Sequence, residues 1–256
     1  MDYNTIENIK KSFLSFFDKS YEQEIEKLFD EIIIILWEFN DGQAKIVYEN
    51  KKTNYSEDLK QYWLNNWKDY YIEGLGGFCL PNAKNPTIFI ETKNDNKLIA
   101  QTIHEVLHLF LDKKLNKMEI LKHDFLVELI IEYVTSDILL IYNRLTDEKN
   151  EQYSTYLALD EIVDFPIKNL CLQLIDEIKM NPESVNIFVD VIDRASISAY
   201  FQGLLDKAYE CDREKSFRDQ YPECIAEYSV EIKKVVDNIL QKYSTHKNEE
   251  SHLNKG

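Results

Sequence analysis

The chain has 256 residues, 44% of them hydrophobic, with 16 Tyr and 13 Phe, and a formal net charge of -16 at pH 7. That is apolar material enough for one large domain or two small ones, and no basic patch is visible of the kind that nucleic acid or an anionic membrane surface requires. Six Gly and five Pro are few for a sheet-rich protein, so the expectation is a mainly helical α+β chain.

The first residues, MDYNTIENIKKSFLSFF, carry acidic side chains early and no unbroken apolar run, which predicts no secretory signal. The densest apolar run, EIIIILW at 31–37, is far short of the roughly 18 residues of a membrane span, and a cytoplasmic location is expected. Over 20–39 the residues Ile25, Leu28, Phe29, Ile32, Ile33 and Leu36 follow helical spacing. The β-branched run Ile32–Ile35 is a counter-signal, and a strand turning at Asn40–Gln43 is the alternative. Residues 44–49 alternate and predict a strand, and 55–67 predict a helix. Gly74, Gly76 and Gly77 then precede FCLPNAKNPTIFIE, which predicts two short strands about a turn between Pro81 and Pro86.

Asn94, Asp95 and Asn96 offer caps for a long apolar helix at about 97–113, and a second, apolar on most sides, follows at about 118–145. Further helices are expected near 151–164, 167–180, 183–211 and 222–243, before a polar tail. The organisation expected is a first part, 1–150, with N-terminal helices, a small sheet and the two apolar helices, and a helical C-terminal part, 151–256, packed on it. Cys79, Cys171, Cys211 and Cys224 are scattered without CxxC spacing, which predicts reduced, buried thiols rather than disulfides or a thiolate metal site.

The first apolar helix contains His104, Glu105 and His108. Positions four apart share one helical face, so both imidazoles can reach one Zn²⁺, with Glu105 beside it as a general base rather than a ligand. The competing reading is a pair of satisfied core histidines. At this composition the pattern arises by chance roughly 0.01 times per chain. Two imidazoles and a carboxylate in an apolar helix are also costly to bury without partners. Zinc needs a further ligand. Leu111 and Lys114 stand where an extended motif would carry Gly and a third His. His123 and Asp124 sit early in the second helix and are further possible ligands, and Glu128 and Glu132 share one face of it. The two glutamates are the better candidates, against the alternative of a satisfied or partly exposed pair.

His104-Glu105-x-x-His108, 19 residues, Glu128, and Glu132 one turn on resembles the gluzincins, the thermolysin-like and aminopeptidase-like zinc metallopeptidases. The resemblance covers about 74–140. It implies a zincin-like core in which two antiparallel helices face each other across Zn²⁺, held by His104, His108 and Glu128. Glu132 falls where the family keeps a carboxylate, often Asp, that hydrogen-bonds the first histidine, and Glu lengthens that arm. The family's strand pair before the first helix implies that Gly76, Gly77, Phe78 and Cys79 bind substrate as an edge strand. It also implies a Tyr or His donor for the oxyanion. His246 and His252 lie in the polar tail, so Tyr200, in SISAYFQG, is the expected donor. Glu105 would then take a proton from the attacking water and pass it to the leaving amine. The activity implied is zinc-dependent hydrolysis of a peptide bond in a peptide or one specific protein. The alternative is a non-catalytic zincin-like module that binds a protein partner. An intact Glu105 favours the enzyme, because a structural zinc has no use for a base.

Overall fold

The computed structural model describes residues 1–40, 43–70, 77–80, 84–92, 97–111, 114, 125–152 and 175–185. They form a mixed α/β structure, mostly helical, with a small four-stranded sheet. The chain divides into two units, Met1–Lys113 with Val134–Tyr153, and Lys114–Tyr133 with Ser154–Gly256.

In the first unit, helix α1 (Tyr3–Phe16) starts at Asp2, whose carboxylate accepts the Thr5 amide proton across 2.8 Å. Its Phe13 meets Phe29 of helix α2 (Glu22–Glu31) edge-on, with ring centroids 5.4 Å apart. The helix expected over 20–39 ends at Glu31. Strand β1 (Ile33–Asn40) replaces its second half and pairs antiparallel with β2 (Gln43–Glu49). Ile32, Ile33 and Leu36 match a helical period only because every residue from Ile32 to Trp37 is apolar. A strand buried on both faces reads as just such an unbroken run. Asn40 pairs with Gln43 across Asp41 and Gly42, a sequence pair suited to a two-residue hairpin.

Helix α3 (Asn54–Tyr70) follows, then β3 (Gly77–Leu80) and β4 (Thr87–Glu91), the two short strands expected there. The sheet order is β2-β1-β4-β3, with β1 and β4 parallel and β3 antiparallel to β4. Alternation along the strands sorts the two faces. Ile33, Ile35, Trp37 and Phe89 face α3 and enclose Trp63. The Trp63 ring lies 5.3 Å from that of Trp37 and 4.9 Å from that of Phe78, which stacks on Phe89. Helix α4 (Leu98–Leu111) packs on β3 and β4. At its far end Phe110 meets Phe17, with centroids 4.9 Å apart.

Helix α5 (Phe125–Thr146) matches the second apolar helix from Phe125 onward, and 115–124 lie outside the described residues. Its C-terminal half buries Val134, Ile138, Leu139 and Tyr142. Burial pushes the Tyr142 hydroxyl up to about 12, helped by the Glu148 carboxylate. Of the C-terminal helices expected, residues 175–180 are helical, ahead of a 3-10 turn at Pro182–Ser184. Those near 151–164 and 183–211 lie outside the described residues beyond 152 and 185, and that near 222–243 lies wholly outside them. Among the described residues no helix is long and apolar enough to cross a membrane.

Lys60 ties α3 to β2. Its Nζ stands 2.6 Å from Glu49 Oε2 and 2.6 Å from Glu57 Oε1, and the Glu49 side chain is only 3% exposed. Burial pulls the Lys60 amine down, but the two carboxylates outweigh it and leave the group above its ordinary value. Lys60→Ala strands a buried carboxylate and is expected to lower stability by about 3 kcal/mol in denaturant unfolding at pH 7. A raised folded-state lysine stabilises fully below its unfolded pKa and loses that contribution as pH climbs through the folded one. The gap between wild type and variant should therefore hold from neutrality and narrow only above about pH 10.

Candidate metal centre

Helix α4 is almost entirely buried. Ile103, Val106, Leu107 and Leu109 are fully enclosed, and Glu105 and His108 are each only 7% exposed. His104 is half-buried one turn before His108. The helix therefore carries three hydrogen-bonding side chains into surroundings that supply little water, and each must find a partner inside the protein.

The histidine rings turn toward each other. Their Nε2 atoms are 3.1 Å apart, with ring centroids 4.8 Å apart and planes at 67°. Two readings fit this contact. In one, a neutral ring donates its Nε2–H to the lone pair of the other. In the other, both lone pairs point at one cation. Two nitrogens on a single tetrahedral zinc sit about 3.3 Å apart, so the pair stands close to the spacing a shared ion demands.

A third group decides what the pair can hold. Glu128, half-buried in the first turn of α5, brings a carboxylate oxygen so near that the ligand atoms of His104, His108 and Glu128 all lie within 4.8 Å of one another. Closing to zinc spacing asks for a side-chain movement of at most about 1.5 Å. Two imidazoles and one carboxylate form a donor set of the catalytic type, with three protein ligands and one position left for water or substrate. The residues present fit a zinc ion.

Glu132 is half-buried one turn further along α5, on the same side as Glu128. His123 and Asp124, the other ligands considered, lie outside the described residues, as do Gly74, Gly76 and Tyr200. Gly77, Phe78 and Cys79 lie on β3, at the end of the sheet order. The Phe78 ring packs on Trp63 and Phe89 in the α3-side core, so only its backbone is offered outward. Cys79 is in no disulfide and is half-buried rather than enclosed, on the strand at the end of the sheet order. Cys171, Cys211 and Cys224 lie outside the described residues.

One contact at the centre was not foreseen from the sequence. A β-carbon at Gly77 would stand 3.0 Å from the Phe89 carbonyl oxygen, 3.1 Å from Glu105 Cγ and 3.1 Å from Glu105 Oε1. The terminal strand thus lies directly on the Glu105 side chain. Its only trace in the sequence is the glycine pair at the start of the strand.

No family model matches the chain, and no curated protein or solved structure matches it.

If the cluster takes up zinc, the ion binds the folded state and should raise Tm. At a hundredfold excess over Kd the gain is about 2.7 kcal/mol. His108→Ala and Glu128→Ala each remove one ligand and should abolish most of the zinc-induced shift, measured by thermal unfolding with and without added zinc. An undiminished shift in Glu128→Ala would exclude that carboxylate as a ligand.

Proposed function

We propose that the chain is a zinc-dependent metallopeptidase with a zincin-like, gluzincin-type core, hydrolysing a peptide bond in a peptide or a specific protein. The observation that carries this reading is the convergence of His104, His108 and Glu128, with Glu105 next to His104 on the same buried helix and against a terminal β-strand. A zinc ion in that donor set would supply Lewis acidity toward a water and the scissile carbonyl.

The chain's own residues do the rest. His104 and His108 would hold the ion from α4, and Glu128 would hold it from α5. Glu105 is too close to the first histidine along the helix to share the ion comfortably, and its carboxylate is oriented from a packed helix rather than a loop. It accepts a proton from the attacking water and returns it to the leaving amine. Strand β3 ends the sheet order, and an extended substrate adds there as a further strand, held by main-chain hydrogen bonds. Glu132 orients a histidine from behind. Tyr200 is assigned as the oxyanion donor on the resemblance alone.

A second reading has an observation of its own. The two Nε2 atoms are within hydrogen-bonding distance of each other, so the histidines can satisfy one another in a protein-binding module that needs no metal. Glu105→Gln separates the two. It keeps the shape of the side chain and removes the proton acceptor. Zinc content and Tm should stay near wild type, and cleavage of a quenched-fluorescent peptide library should fall by about 10²–10⁴-fold. A wild-type protein that carries no zinc and cleaves nothing would leave the binding module as the better description.

A further inference from the structure

Position 77 lies in a strand, where the backbone conformation admits any residue, so space and not conformation is what calls for glycine. The strand pairings show what that space is for. Gly77 pairs with Ile90 and Cys79 with Ile88, while Ile34 and Leu36 pair with the same two residues from the other side. All six therefore share one face of the sheet, opposite the face that encloses Trp63. Helix α4 packs there, and the side chain it sets against Gly77 is Glu105.

We propose that Gly77 is the positioning residue for the Glu105 carboxylate: its bare α-carbon is the floor against which that carboxylate rests. Non-bonded carbon atoms settle about 3.5–4.0 Å apart, so a β-carbon 3.1 Å from Cγ and from Oε1 would press on the very atoms that fix the carboxylate's place. Glu105 has little room to retreat, because it is 7% exposed and its neighbours Val106 and Leu107 are fully enclosed. The contact works in both directions. The strand confines the carboxylate, and the carboxylate confines the strand to a residue without a side chain. This inference rests on the proposed function for its catalytic meaning, and on the geometry alone for the contact itself. It gives Gly77 a task apart from substrate binding.

The Phe89 carbonyl, 3.0 Å from the same point, is the competing reason for the glycine, and a double-mutant cycle tells the two apart. The metal-stripped full-length chain is compared as wild type, Gly77→Ala, Glu105→Ala and the double variant. Gly77→Ala is expected to lower Tm by about 2–10 °C when Glu105 is present, and by less than half as much in the Glu105→Ala background. Equal losses in both backgrounds would overturn the proposal and assign the glycine to the Phe89 carbonyl. If Gly77→Ala fails to fold, a folded double variant supports the proposal and an unfolded one overturns it. Cobalt(II) then reports on position rather than stability. Gly77→Ala should alter the visible absorption of the cobalt-loaded protein only while Glu105 is present, because the three atoms nearest its β-carbon belong to Glu105 and Phe89 and none to a ligand. The same spectral change in both backgrounds would mean that the strand shapes the ligand set instead, and would overturn the positioning role. A wild type that takes up neither cobalt nor zinc defeats the proposed function, and the unfolding cycle still decides whether Gly77 sets Glu105.

Discussion

The parallel pairing of β1 with β4 is the constraint on which the rest of the first unit depends. Ile33–Trp37 and Ile88–Ile90 are apolar and buried, so the two central strands need a cover on both faces. Helix α3 supplies one cover through Trp63, and helix α4 packs against the strand pair that completes the sheet. Period-two alternation then leaves no freedom in which side chain looks which way. Phe78 and Leu80 go to the aromatic side, and Gly77 and Cys79 go to the side of α4.

Chemistry enters as the exception within that apolar packing. Helix α4 is long, apolar and buried, and it is the wrong place for a carboxylate and two imidazoles unless they serve one another or a ligand. The histidines solve part of the problem by meeting at 3.1 Å, and a carboxylate oxygen of Glu128 lies within 4.8 Å of their ligand atoms. Groups carried on packed helices are held more closely than groups on loops, which suits both metal binding and proton transfer. The same packing that makes these side chains costly to bury gives them a defined geometry.

The sheet and the centre are joined at Gly77. A strand and a helix can approach this closely only where one of them lacks a side chain. The closeness puts a terminal strand directly against the Glu105 carboxylate, the contact on which the proposed roles of both depend. The acidic character of the chain bears on none of this, because the contacts at the centre are decided by shape and by a few local charges.

Much of the architecture was legible in the sequence because it is encoded by local period. The helix at 55–67, the strand at 44–49, the two short strands before Glu91 and the apolar helix bearing His104 and His108 all follow from spacing within a dozen residues. His104 and His108 share a face on any helix, so their meeting was determined by sequence alone. Residues 32–37 could not be read that way, because an unbroken apolar run has no period, and only pairing with β2 and β4 makes it a strand. The choice of Glu128 among the nearby acids rested in the sequence on a resemblance, and the closeness of its carboxylate to the histidines is a distance between residues 20 or more positions apart that no local period states. The contact of Gly77 with Glu105 lies furthest from local information. It joins residues 28 positions apart through a strand register, a pleat and a helix packing distance, and no pattern in the chain states those three quantities.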